Sequence, residues 1–77
     1  MDIKQEIKNT IVRTLNIRAD ELKEGASLEN SLGVDSTEIV ELTVALSKKF
    51  NVKIADKEIS KKSTLADIET VIKSKIG

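Results

Sequence analysis

The chemistry open to this chain converges on one hydroxyl. In Leu32-Gly33-Val34-Asp35-Ser36-Thr37-Glu38-Ile39-Val40-Glu41-Leu42, Asp35 and Glu38 stand three apart, the spacing of an N-cap and its capping-box partner. Ser36 then becomes the first residue of a helix, with its side chain free, and Gly33 supplies a turn before it. A phosphoryl group on that hydroxyl would meet unpaired backbone N–H groups and the positive end of the helix dipole. Ser36 is therefore a candidate attachment point for a phosphodiester, although these residues alone do not name the group. Asp35 would repel such an anion unless it serves an incoming enzyme or that enzyme's metal ion.

Little else could react. The 77 residues include no Cys, His, Pro, Trp or Tyr, and Phe50 is the one aromatic side chain. Disulfides, thiolate or imidazole catalysis and ordinary zinc sites are excluded. A serine nucleophile needs a neighbouring base, and the usual one is missing. Asp20-Glu21 could in principle act as an acid–base pair but reads as a solvated turn. Gly25, Gly33 and Gly77 form no phosphate-cradling cluster, and the carboxylates follow no calcium-loop spacing. Thirteen basic residues balance thirteen acidic ones, which with a single aromatic disfavours nucleic acid. No apolar run is longer than Val44-Ala45-Leu46, so no membrane span is expected, and no apolar signal region follows Met1. The expectation is one small cytoplasmic domain over residues 1–77 that is not an enzyme.

The elements that position Ser36 follow from periodicity. Ile3, Ile7, Ile11 and Leu15, widened by Val12, predict a helix over 3–15 that opens with Asp2 and Gln5 as a capping pair. Residues 16–34 place Ile17, Leu22, Ala26, Leu28 and Leu32 irregularly and read as a long ordered loop, with a helical turn at Asp20–Lys23. Ile39, Leu42, Thr43, Leu46 and Phe50 share a face of a helix over 36–50 that Asn51 stops. Asp56 could cap a short helix over about 56–61. Leu65, Ile68, Ile72 and Ile76 form the last helix, with Thr64 and Asp67 at its start. The fold class is all-α: a small four-helix bundle of three main helices and one short one, with a long first loop.

Gly33-Val34-Asp35-Ser36, followed by Glu38-Ile39-Val40-Glu41-Leu42, resembles the phosphopantetheine attachment region of acyl carrier proteins. The resemblance covers essentially the whole chain and its helix order. It implies that Ser36 is esterified to 4′-phosphopantetheine by a separate phosphopantetheinyl transferase that uses coenzyme A and magnesium. The arm's thiol, the only one the molecule would have, carries acyl intermediates as thioesters to acyl-transferring or synthase enzymes of fatty-acid, lipid or specialised biosynthesis. A monomer is expected on the same ground. Polyketide or aminoacyl intermediates are the alternative cargo. An unmodified helical interaction module is the alternative from another class.

Departures from the family pattern bear on partners. Thr37 stands where the family usually has leucine, which removes around 1 kcal/mol of apolar contact if that residue docks partners; neutral drift on an exposed face is the competing reading. Val40 and Val44 lie one turn apart beside Glu41, off the core stripe, and are read as a partly exposed docking strip together with Asp35, Thr37 and Glu38. Thr43, on the apolar face, can bond the carbonyl of Ile39; the sharper alternative is that it narrows an acyl pocket. Lys48 and Lys49 end the helix where many family members are acidic, which suits the helix dipole and would also alter partner choice. Charge is segregated: residues 19–41 carry a net −6 and the remainder +6. These departures point to a specialised member of the family, approached at its acidic end by a basic partner.

Overall fold

The computed structural model describes residues 2–76. Four α-helices occur among them: α1 (Ile3–Leu15), α2 (Leu28–Leu32), α3 (Ser36–Phe50) and α4 (Leu65–Ile76), with a 3₁₀ turn at Ala19–Glu21. α1 packs against both α3 and α4. Ile7 and Ile11 of α1, Ile39, Leu42 and Leu46 of α3, and Leu65, Ile68 and Ile72 of α4 meet in one core. Leu28, Val34, Ile54 and Ile59 reach that core from α2 and the connections. Each such aliphatic side chain contributes about 2 kcal/mol of burial, which is how so short a chain holds irregular segments in place.

The three long helices begin, and α1 and α3 end, where local chemistry sets them. The Asp2 carboxylate accepts the Gln5 N–H at 3.2 Å, whereas the Gln5 side chain donates to Asn9 rather than returning to the cap. Thr64 and Asp67 close a reciprocal pair at the start of α4, at 3.0 and 3.2 Å. α1 and α3 both stop on an asparagine in the left-handed region, Asn16 and Asn51, each with φ 54°. Asparagine tolerates that conformation because its short side chain bonds locally.

Two expectations are corrected. No helix forms over 56–61, and Asp56 caps nothing. Glu58 instead turns its carboxylate to the Ala55 N–H at 2.7 Å and to Lys75 Nζ at 2.9 Å, closing a single turn. The Ser63 hydroxyl takes the Ser60 N–H at 3.0 Å, so side chains compete with helical hydrogen bonding. The short helix lies in the stretch read as loop. Ser27 Oγ accepts the Asn30 N–H at 3.1 Å, and Gly33 ends α2 with φ 66°. α2 also borrows acceptors from elsewhere: Leu28 N–H donates to the Ser63 carbonyl at 2.9 Å and Glu29 N–H to the Lys61 carbonyl at 2.8 Å. The missing helix and the extra one are thus two sides of one seam. The turn expected at Asp20–Lys23 starts one residue earlier.

Candidate functional site

The chain passes from α2 to α3 through only Gly33, Val34 and Asp35. Gly33 turns it in the left-handed region, where a Cβ would be strained by the backbone although no atom lies within 4 Å of that position. Val34, 5% exposed, pins the turn to the core. Asp35 then caps α3: its carboxylate accepts the Glu38 N–H at 2.8 Å, and the Glu38 carboxylate accepts the Asp35 N–H at 3.1 Å. Both carboxylates are therefore committed to the backbone.

Ser36 follows as the first helical residue, exposed. Its hydroxyl makes no hydrogen bond among the described residues. The Ile39 N–H donates to the Asp35 carbonyl at 3.1 Å, so the amides of Ser36 and Thr37 are the ones in the first turn without a protein acceptor. A phosphoryl oxygen on Ser36 would find those donors and the dipole of a fifteen-residue helix beside it.

A cleft of about 260 Å³ opens next to this hydroxyl, lined by Ser36, Ile39, Val40, Asp56, Ile59, Ser60 and Lys61. The last four were not expected at the site. The signal for one of them was available: Ile59 is a lone isoleucine in a charged stretch, and it is 1% exposed because it turns into the core. Asp56, Ser60 and Lys61 arrive by the seam that holds 61–63 to α2, which no local pattern encodes.

The remaining expected residues sort by exposure. Val40 and Val44 are 58% and 48% exposed, and Thr37 and Glu41 are exposed beside them. They share the outer face of α3, with Glu41 in no ion pair among the described residues. Thr43 is buried, its hydroxyl donating to the Ile39 carbonyl at 2.8 Å, and it does not line the cleft. Among the described residues, no three acidic side chains converge to hold a metal ion. No helix among the described residues is long and apolar enough to cross a membrane.

A sequence profile described as "Phosphopantetheine attachment site" matches residues 5–72. The chain is 39% identical over 74 residues to the acyl carrier protein of Wolinella succinogenes, covering 96% of this chain and 97% of that one. It is 35% identical over 75 residues to the acyl carrier protein of Bdellovibrio bacteriovorus, covering 97% and 96%. It is 32% identical to that of Chlamydia caviae over the whole of both chains.

Proposed function

The chain belongs to the acyl carrier protein family, and on that premise we propose that Ser36 is the residue on which it holds its 4′-phosphopantetheine. Members of this family are carriers rather than enzymes, loaded by a phosphopantetheinyl transferase and served by synthases and acyltransferases. The single observation that carries the assignment is the exposed, unbonded Ser36 hydroxyl at the first position of α3, between a committed cap and two free amides.

The residues present fit the group. When bound, 4′-phosphopantetheine supplies the thiol that holds acyl cargo as a thioester. In loading, Ser36 Oγ bonds to the coenzyme A phosphorus that carries the pantetheine arm, and the bond to adenosine 3′,5′-bisphosphate breaks. The hydroxyl proton would pass to the transferase, where magnesium would supply neutralisation of the leaving group's charge. The chain's own part is to present Oγ, to hold the resulting diester on the Ser36 and Thr37 amides, and to keep Asp35 and Glu38 in place. The cleft walled by Ile39 and Ile59 offers apolar surface beside the diester.

We read Val40, Val44, Thr37 and Glu41, with Asp35 and Glu38 at the rim, as the face on which partner enzymes dock. The exposure of two valines on a charged helix supports this reading. The loss of apolar area at Thr37 and the lysines at 48 and 49 support a narrowed, specialised set of partners. The chain is further read as one carrier domain over residues 1–77, supported by the single core to which all four helices contribute, and as a cytoplasmic monomer on the family's pattern.

Incubation with coenzyme A, magnesium and a broad-specificity transferase, followed by mass spectrometry, tests the assignment. One phosphopantetheine is expected on the unsubstituted chain and none on Ser36→Ala, whose helix content by circular dichroism is unchanged. Loading of Ser36→Ala, or no loading of the parent chain by several transferases, overturns it.

A further inference from the structure

A larger groove, about 470 Å³, lies between α1 and the C-terminal half of α3, lined by Thr10, Arg13, Thr14, Ala45, Lys48 and Lys49. Its cations differ in their commitments. Lys49 Nζ is paired with Glu6 Oε1 at 3.0 Å and ties the two helices together. Arg13 and Lys48 are exposed and have no carboxylate within ion-pair distance among the described residues. The Thr10 hydroxyl is occupied by the Glu6 carbonyl at 2.8 Å. What remains is a concave floor of methyl groups and aliphatic stems, flanked by two free positive charges.

We propose that this groove is a second docking surface, which receives an acidic protein segment bearing an apolar side chain, supplied by a carrier-dependent enzyme. The inference rests on the carrier reading for the kind of partner. Charge complementarity selects an anionic segment, and the methyl-lined floor selects one that also inserts an apolar group. The surface continues the face already described: Val40, Val44 and Lys48 follow one another at four-residue steps along α3, and Ala45 lies between the strip and the groove. Glu41 and Lys48 are seven residues apart, about 10 Å along the helix. A partner lying along α3 would therefore meet negative charge near Ser36 and positive charge two turns later. Its own surface must be basic at one end and acidic at the other.

Other occupants fit less well. A second copy would have to offer its acidic segment, but among the described residues only Glu41 there is uncommitted, one carboxylate for two cations: Glu24 is held by Lys4 and Lys8, Glu29 by Lys61, Asp20 by the Arg18 side chain, Glu21 by the Arg18 N–H, and Asp35 and Glu38 by the α3 cap. An anionic bilayer is flat, attracts only clusters of several cations, and would repel the acidic 19–41 region of a chain with no net charge. A small inorganic anion would gain nothing from the apolar floor.

The test is a titration of the ¹⁵N-labelled full chain with two designed amphipathic peptides of two heptads, leucine on one face and either glutamate or lysine on the other. The acidic peptide is expected to shift the amides of Thr10, Arg13, Thr14, Ala45 and Lys48. The basic peptide is expected to shift those of Thr37 to Val44. Arg13→Glu with Lys48→Glu should weaken the acidic peptide at least tenfold and leave the circular dichroism spectrum unchanged. The milder pair Arg13→Gln and Lys48→Gln should weaken it less. Acidic-peptide shifts outside the groove, or undiminished binding by the charge-reversed chain, overturn the proposal. So does binding of phosphatidylcholine–phosphatidylglycerol vesicles that these substitutions abolish, or concentration-dependent self-association through the groove. Loading of Ser36 is measured separately on the unsubstituted chain, so its failure would refute the carrier reading without touching the groove.

Discussion

Asp35 and Glu38 hold one another's backbone amides across the first turn of α3, at 2.8 and 3.1 Å. Two carboxylates flanking Ser36 are thus structural first and electrostatic second. Asp35 keeps its charge beside a phosphodiester, and the Glu38 N–H that it accepts offsets only part of the repulsion. A lysine at position 38 would break the box as well as reverse the charge, so it would confuse steering with folding. Glu41, exposed and unpaired, is the clean position at which to test attraction of a basic partner.

Glu41→Lys should slow loading of Ser36 several-fold at low ionic strength, through a lower association rate, and leave stability nearly unchanged. Loading rates of the two chains should converge as salt is raised toward 1 M, where the Debye length is about 3 Å. Equal rates at low salt would remove electrostatic steering from the account.

Gly33 has φ 66° with nothing near its missing side chain, so a substitution there meets backbone strain and no clash. Gly33→Ala should cost about 1 kcal/mol in urea denaturation. Gly33→Asn should cost less, since the same chain already places Asn16 and Asn51 at φ 54°. Equal losses for both would show that the site is limited by space instead.

Glu24 lies between Lys4 Nζ, at 2.8 Å, and Lys8 Nζ, at 2.9 Å, and fastens the long loop to α1. Hydrogen bonds from Lys4 and then Lys8 lower its carboxyl from 4.5 to about 2. A depressed folded-state pKa stabilises above the unfolded value, so this contribution is present above pH 4.5 and fades as pH falls toward 2. The Glu24 hydrogen bond raises Lys4, whose share is complete below 10.5 and is lost only as pH climbs past it. Thermal melts of Glu24→Gln should therefore lie below those of the parent chain between these limits, converging in acid and in high salt. A gap that persists to pH 2 would contradict the linkage.

Thr43 is buried with its hydroxyl bonded back to Ile39, away from the cleft at Ser36. Thr43→Val should shift stability by no more than about 1 kcal/mol. It should also leave unchanged which acyl chain lengths the loaded protein shields from a thioesterase. A change in that protection profile would restore a pocket role for this residue.

What the sequence makes legible here is whatever neighbours within four residues decide. Asp2, the Asp35–Glu38 pair, Thr64 with Asp67, and Asn51 all mark helix ends correctly, because caps are built from adjacent side chains. The exposed strip of Val40 and Val44 is legible for the same reason: both fall outside the stripe of Ile39, Leu42 and Leu46. The short helix is not legible. Five residues, Leu28 to Leu32, give no period to read, and their first amides are satisfied by carbonyls more than thirty positions away. The stretch 56–61 fails in the opposite sense. Its composition admits a helix, but the Ser60 N–H is taken by Ser63 Oγ, and Glu58 is drawn to the Ala55 N–H and Lys75.

The seam joining Leu28 and Glu29 to Ser63 and Lys61 makes two irregular segments into one cooperative unit of opening. One of them carries Ile59 and Lys61, which wall the cleft; the other leads through Gly33 into Ser36. Widening the cleft by moving its outer wall means pulling on the same amides that seat α2. Movement of that wall is therefore resisted by two hydrogen bonds and the burial of Leu28 and Ile59, and the long helices can stay fixed while it moves.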